Sequence, residues 1–278
     1  MSAKTILFPT TNIGKLKEFQ NFFQKTDYKL LNLKELKLSF DEEAIENSDY
    51  FMTNGLIKFL QGACYLKKKS SKLKTIHALI VDDSGLCVPL LDYKPGVHSA
   101  SFGGPEKDAQ KNINALLLKM EKSTVPFIDF KGEKRLPAFF VTFLVFGWLK
   151  DIYHVPQSFE SDAKSLVRNS LMRIEHSILK QIDNQKNKAE GFRRYKELDY
   201  FSETQNFHST LKVFVGASYG YVSKTYQNNY GGFGYDPIFY SYNDKNKSYA
   251  ELSVSEKNNI SHRGLALKEL RDYLTSVT

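Results

Sequence analysis

Ala138-Phe139-Phe140-Val141-Thr142-Phe143-Leu144-Val145-Phe146-Gly147-Trp148 is the stretch on which the reading of the fold turns. Aromatic and β-branched residues dominate it, which favours a central strand over a helix, and it is too short to cross a bilayer. A strand this apolar needs neighbours on both edges and cover on both faces. Val213–Val222 has the composition of its hairpin partner. Towards the N-terminus, the apolar run Ala78–Val81 stops at Asp82-Asp83-Ser84-Gly85 and resumes over Leu86–Leu91, a pattern expected of buried strands joined at a polar corner. Thr5–Phe8, closed by Pro9, is a further short strand. The helical spacing of Leu16, Phe19, Phe22 and Phe23 after Gly14 completes a strand–loop–helix unit. Phe51, Leu56, Phe59, Leu60 and Ala63 mark a second helix ending in the Lys67–Lys69 run, and Asn112–Met120 a third.

Between the two central strands, Gln157–His208 is rich in Ser, Asn, Gln, Lys and Glu. Val167, Leu171, Ile174, Ile178 and Ile182 share one helical face there, so 157–208 reads as an insertion with one amphipathic helix followed by a polar loop. The remainder reads as a single domain over 1–278, and an insertion of this kind is expected to be dispensable.

Composition narrows the function classes. The chain has 278 residues, 41% hydrophobic and 25% charged, which excludes general disorder. Lys plus Arg exceed Asp plus Glu by 39 to 31, a net charge of +8 that suits a polyanionic partner such as nucleic acid, an anionic membrane or nucleotide phosphates. Cys64 and Cys87 stand far apart and outside any metal-binding spacing, which argues against a disulfide framework or zinc site. With neither a secretory nor a membrane-spanning segment, a cytoplasmic location is expected.

Three segments combine unusual residue types with strand ends. In Thr10-Thr11-Asn12-Ile13-Gly14-Lys15, hydroxyls, backbone N–H groups and a lysine meet at a helix N-terminus, where phosphate oxygens are well received. It is not a Walker A loop. In Asp82-Asp83-Ser84-Gly85, adjacent carboxylates repel and persist where a cation such as Mg²⁺ offsets them. Strand alternation predicts that only one of the two reaches the site. The acidic stretch Asp41–Glu46 offers several second ligands. The third segment joins Gly231-Gly232-Phe233-Gly234-Tyr235-Asp236-Pro237, where aromatic rings can stack on a flat ligand, to Ser253–Arg263. There Ser253 and Glu256 form a capping box, and a single helix is expected to set Lys257 beside Ser261 and Asn258 beside His262. Ala266, Leu267, Leu270 and Leu274 form its buried side.

TTNIGKLKEF, VDDSGL, PGVHSASFGG, GGFGYDPIF and AELSVSEKNNISHRGLAL stand in the order, and nearly the wording, of one enzyme family. The chain resembles the inosine triphosphate pyrophosphatase family of nucleoside triphosphate pyrophosphohydrolases over nearly its whole length outside 157–208. The resemblance implies an elongated α/β fold with a long central mixed sheet flanked by helices, two lobes and a cleft between them, usually as a homodimer. It implies Mg²⁺-dependent hydrolysis of deaminated purine nucleoside triphosphates (ITP, dITP, XTP) to monophosphate and pyrophosphate. Carried over position by position, it makes Thr10, Thr11, Asn12, Gly14 and Lys15 the triphosphate loop, Asp83 the catalytic and metal-associated carboxylate, and Ser84 a substrate contact. Glu46 falls on the other metal ligand and Lys58 on a lysine near the phosphates. Phe233, Gly234, Tyr235 and Asp236, with Lys257, His262 and Arg263, would hold the base. Two positions depart from the family pattern: Ser99-Ala100-Ser101 replaces S-A-R, and Phe51-Met52-Thr53-Asn54-Gly55 replaces F-x-E-N-A. The rival readings are a Maf-type pyrophosphatase for modified pyrimidine nucleotides and a nucleic-acid-binding protein. Against the latter, the excess charge is not gathered in one tract, so nucleic acid is not expected as the main partner, nor is a membrane.

Overall fold

A computed structural model of the chain describes residues 4–36, 48–68, 75–124, 126–153, 169–185, 188–202, 207–225, 233–244 and 246–277. Among them, nine strands form one mixed sheet. They are β1 (Lys4–Leu7), β2 (Tyr28–Leu31), β3 (Ala78–Cys87), β4 (Ile128–Phe130), β5 (Glu133–Trp148), β6 (Ile152–Tyr153), β7 (Phe192–Ser202), β8 (Phe207–Ser223) and β9 (Phe239–Ser241). The principal order is β2-β1-β3-β5-β8-β6, with β4 on β5 and both β7 and β9 on β8. β1 runs parallel to β2 and β3, and the remaining pairs are antiparallel. The helices are α1 (Ile13–Phe23), α2 (Phe51–Lys68), α3 (Ala109–Glu121), α4 (Asn169–Asp183), α5 (Val254–Ile260) and α6 (His262–Ser276). The expected pairing is present, with Phe139 facing Tyr219 and Val145 facing Val213 across β5 and β8, but β6, α4 and β7 intervene in the chain, so the two strands are antiparallel neighbours and not a hairpin.

Alternation along the strands creates the two lobes. Phe139, Val141, Phe143 and Val145 of β5 point to one face and join Leu79 and Val81 of β3, Phe59 of α2 and Ile178 of α4 in a continuous apolar cluster. The opposite face is divided. Leu144 and Phe146 pack under α1 and α6 with Phe19, Leu267 and Leu270. Leu136, Ala138 and Phe140 instead pack with Leu116 of α3, Phe239 and Tyr249. Thr142 lies between the two groups, level with Ser84 across the ladder, so a polar seam separates two separately packed bodies joined by the long strands.

Three further sequence expectations change. There is no polar corner after Val81, because β3 is one uninterrupted strand from Ala78 to Cys87. Its carboxylates stay in the ladder because cations and Thr142 satisfy them, as described below. The polar loop expected at the end of 157–208 is largely β7, which pairs with β8 from Phe192↔Ala217 to Ser202↔Phe207. Phe192 and Leu198 join the main core from β7. Finally, the single helix expected after Ser253 is two. Ser261 is extended (φ −77°, ψ 157°) and caps α6 by accepting a hydrogen bond from Gly264 N at 3.1 Å. Of the expected amphipathic face of α4, Leu171, Ile178 and Ile182 are buried, while Val167 lies outside the described residues.

Candidate active site

β1 pairs with β3 only at Ile6↔Ala78 and Leu7↔Leu79, after which the chain turns away towards α1. From Ile80 to about Ser84 no described strand pairs with that edge of β3, beside the carboxyl end of the parallel strand β1, which is where ligand crevices form in open α/β sheets. A cavity of about 410 Å³ lies there. Because it opens on the strand's edge, residues of both faces border it, and Asp82, Asp83 and Ser84 all line it. Both carboxylates therefore reach the site, where alternation alone predicted one.

The near wall is the loop into α1. Asn12 caps the helix, its Oδ1 accepting from Lys15 N at 3.0 Å, and Thr10 Oγ1 accepts from Asn12 N at 3.2 Å. Thr10, Thr11, Asn12 and Lys15 face the cavity. Thus hydroxyls, a helix N-terminus and a lysine converge, an arrangement suited to phosphate oxygens. Asn54, Lys58 and Gln61 of α2 form the opposite wall, with His98, Ser101 and Lys107 at the far side. Gly85 allows that far side to approach: a Cβ there would meet Gly96 O at 2.1 Å and Ser99 Oγ at 2.8 Å.

The two carboxylates hold different partners. Asp83 lies on the α2 face, with Lys58 Nζ 2.7 Å from its Oδ1. Asp82 lies on the α1 and α6 face, 2.6 Å from Lys15 Nζ and 3.4 Å from Arg263 Nε, and accepts a hydrogen bond from Thr142 Oγ1. Burial works to raise the Asp82 carboxyl, but the charges of Lys15 and Arg263 outweigh it and hold the group well below the usual carboxylate range. It is ionised at neutral pH.

From Asp82 a chain of alternating charges runs beneath the seam. Arg263 Nη1 is 2.8 Å from Glu18 Oε2, Lys257 Nζ is 2.7 Å from Glu18 Oε1, and the same ammonium is 2.7 Å from Asp236 Oδ2. Lys15, Asp82, Arg263, Glu18, Lys257 and Asp236 thus balance to zero charge in series. Asp236 Oδ2 also accepts Phe233 N at 3.0 Å, so the series ties the cavity edge to the aromatic loop. His262, beside it, is buried and stacks on Phe140 with ring centroids 4.8 Å apart. Neither ring nitrogen has a hydrogen-bond partner among the described residues. Burial, reinforced by the positive charges of Arg263 and Lys257, pushes its pKa well below 6.5, so the ring is neutral.

The structure therefore brings together Thr10, Thr11, Asn12, Lys15, Lys58, Asp83 and Ser84 in one cavity. Gly14 lies just behind its wall, where Phe233 seats on it: a Cβ at Gly14 would be 3.0 Å from the Phe233 ring. Tyr235 is buried and donates to Ser99 O at 3.1 Å, and Gly234 turns the loop with φ 59°. Lys257, His262 and Arg263 do not line the cavity. Of the three, Arg263 reaches it through Asp82 and through Ser84, whose Oγ accepts from Arg263 Nη2 at 2.9 Å. Glu46, the rest of Asp41–Glu46, Gly231 and Gly232 lie outside the described residues. Glu18 is the member of this series that sequence reasoning missed, whereas Asp82 was one of the two adjacent carboxylates read from the sequence. Glu18 sits beside the apolar stripe Leu16–Phe19, a position that reads as an ordinary exposed charge until its partners are seen.

Among the described residues no three His, Cys, Asp or Glu side chains cluster to form a metal cage. The donor set still fits Mg²⁺, which binds through one or two carboxylates together with substrate phosphates and water. Asp83 presents one such carboxylate to the cavity.

The fold is an α/β sheet with a lysine-walled, carboxylate-floored crevice at a helix N-terminus, an arrangement suited to phosphate oxygens. The chain belongs to the Ham1 family, which it matches over residues 6–160 and 172–273. The chain is 30% identical over 272 residues to a dITP/XTP pyrophosphatase of Bacillus cereus, covering 98% of this chain and 95% of that one. It is 31% identical over 270 residues to a dITP/XTP pyrophosphatase of Bacillus anthracis, covering 97% and 95%. A solved HAM1 protein from Coxiella burnetii superposes with a TM-score of 0.61 at 22% identity, covering 98% of this chain and 99% of that one. The Staphylococcus aureus Ham1 protein superposes with a TM-score of 0.57 at 24% identity, covering 99% and 100%. The family match includes most of 157–208, which agrees with the place of α4 and β7 in the core. No helix among the described residues is long and apolar enough to cross a membrane.

Proposed function

We propose that the chain hydrolyses deaminated purine nucleoside triphosphates (ITP, dITP and XTP) to the monophosphate and pyrophosphate. The observation that carries this reading is the meeting of the Thr10–Lys15 helix N-terminus with the Lys58–Asp83 pair across one cavity. Membership of a family whose relatives are named dITP/XTP pyrophosphatase supports it.

In this reading the triphosphate lies along the Thr10–Asn12 loop, its charge met by the α1 N-terminus and by Lys15 and Lys58. Asp83 orients a water for in-line attack on the α-phosphorus and accepts its proton, while Lys58 fixes the carboxylate from the α2 side. Mg²⁺, held by Asp83 and Glu46, supplies further neutralisation of phosphate charge when bound. No nucleophilic side chain is needed, since phosphoryl transfer depends mainly on positioning and charge stabilisation. The base lies towards Phe233–Asp236, with Lys257, His262 and Arg263 beneath it. A 6-keto purine offers an acceptor to these donors where adenine offers an amino donor, which is the basis of discrimination. The neutral, unpartnered His262 supports a ligand on that side. We place the enzyme in the cytoplasm as a homodimer.

The test is pyrophosphate release across a panel of purine and modified pyrimidine triphosphates with Mg²⁺, beside a salt-dependent DNA and RNA binding titration. Preference for ITP, dITP and XTP supports the reading. Preference for modified pyrimidines, or tight nucleic-acid binding without turnover, refutes it.

A further inference from the structure

α2 forms one wall of the cavity through Asn54, Lys58 and Gln61, so its placement sets where the Lys58 ammonium meets Asp83. The start of this helix is unusual. Its first turn contains no acidic residue. Tyr50, whose carbonyl accepts Asn54 N at 3.1 Å, occupies the capping position and has no carboxylate or short hydroxyl to offer the leading N–H groups. An acid in the first turn would complement the positive end of the helix dipole. This chain has Thr53, buried, with an Oγ1 lacking a partner among the described residues.

The acid arrives from elsewhere. Glu175, on α4, accepts Phe51 N at 3.0 Å with one carboxylate oxygen and Met52 N at 2.8 Å with the other. It is 2% exposed in an otherwise apolar contact, flanked by Leu171 and Ile178. An isolated carboxylate is costly to bury, and it persists in such a place when it satisfies donors that would otherwise go without. From this cap the contacts lead directly to the site. Phe51 stacks on Phe143 with centroids 5.9 Å apart, and Phe143 is the register partner of Asp83.

We propose that Glu175 is a positioning residue, the acid of the α2 N-terminus supplied by α4 where the helix's own first turn has none, and that it holds Lys58 in register with Asp83. α4 thereby becomes part of the machinery that sets the reaction geometry. Burial raises the Glu175 pKa, the N–H groups of Met52 and Phe51 oppose the shift, and Asp83 adds to it, leaving the group at about 7.

The proposal rests on the pyrophosphatase reading for its catalytic part only, and the experiment separates the two. Glu175→Ala, Glu175→Gln and the double variant Glu175→Ala/Thr53→Glu are compared with wild type by thermal melting, by hydrogen–deuterium exchange of the segment 48–58, and by kcat and KM on whichever triphosphate the wild type hydrolyses. Glu175→Gln keeps the volume and one acceptor, so it remains interpretable if the alanine variant fails to fold. Expected are faster exchange at the start of α2 in both single variants and a kcat lowered about tenfold in the alanine variant with a smaller change in KM, since misplaced groups penalise the reacting geometry. Recovery of a substantial part of kcat by Thr53→Glu is expected, because it restores the acid within the helix. Unchanged exchange at 48–58, or a folded Glu175→Ala protein with wild-type kcat, overturns the proposal. An inactive wild type refutes the pyrophosphatase reading alone and leaves the exchange result to judge the cap.

Discussion

Arg263 Nη1 and Glu18 Oε2 lie 2.8 Å apart, and both side chains are only 6% exposed. The guanidinium is thus committed on three sides, to Glu18, to Asp82 and to Ser84. A residue expected from sequence to read the base is first of all the central cation of a buried series of charges. The electrostatics of the cavity and of the Phe233–Asp236 loop are therefore one system.

Removing that cation leaves two buried carboxylates without their shared partner. Arg263→Ala should lower stability by about 3–5 kcal/mol, the range for breaking one partner from a buried pair. Glu18→Gln in the same background should recover part of the loss, because it removes one orphaned charge. Chemical denaturation of the wild type and the two variants provides the check. An Arg263→Ala protein as stable as wild type would show that the series adds nothing to the fold.

Asp83→Asn keeps the side-chain volume and an acceptor for Lys58, so the fold should be retained while the proton acceptor is lost. kcat should fall by more than about tenfold at saturating Mg²⁺, equivalent to at least about 1.4 kcal/mol of transition-state stabilisation. Retention of most of the wild-type kcat would exclude Asp83 as base or metal ligand.

His262 gives a pH dependence whose sign is fixed. Its pKa is lowered in the fold from 6.5, so the unfolded chain takes up the proton first. The stability it contributes is complete above 6.5 and is lost as pH falls below that value. Between about pH 6.5 and pH 5, a window above the unfolded carboxylate range, the His262 contribution should therefore fall while the raised pKa of Glu175 acts in the opposite direction, so the stability of wild type minus that of His262→Gln should decrease as pH falls. Melting curves across this window test it. A wild-type minus variant difference independent of pH would mean that the imidazole is not buried neutral.

Much of this was legible in the sequence where one physical signal dominated. Continuous apolar content marked β5, helical spacing marked α1 and α2, and the Ser253–Glu256 capping box is present as expected. The signal failed where charge concealed burial. Arg193, Arg194, Lys196 and Glu197 hide the alternation of β7, although Phe192 and Leu198 face the core. Excising 157–208 would remove β7, one of the strands paired with β8, and the Glu175 contacts to the start of α2, so loss of stability is the expected outcome. The pairing of Asp82 with Lys15 and Arg263 was beyond reach for a different reason. It joins residues 67 and 181 positions apart, and only the topology determines that those charges meet.

The most direct test of the central claim is the product analysis of purified protein with ITP, dITP, XTP, ATP and GTP at saturating Mg²⁺, resolving monophosphate plus pyrophosphate from diphosphate plus phosphate. The account predicts monophosphate and pyrophosphate, with kcat/KM for the three deaminated substrates at least about a hundredfold above ATP, the order of discrimination available when buried donors lose their acceptor. Release of orthophosphate and diphosphate, or equal turnover of ATP and ITP, would contradict it.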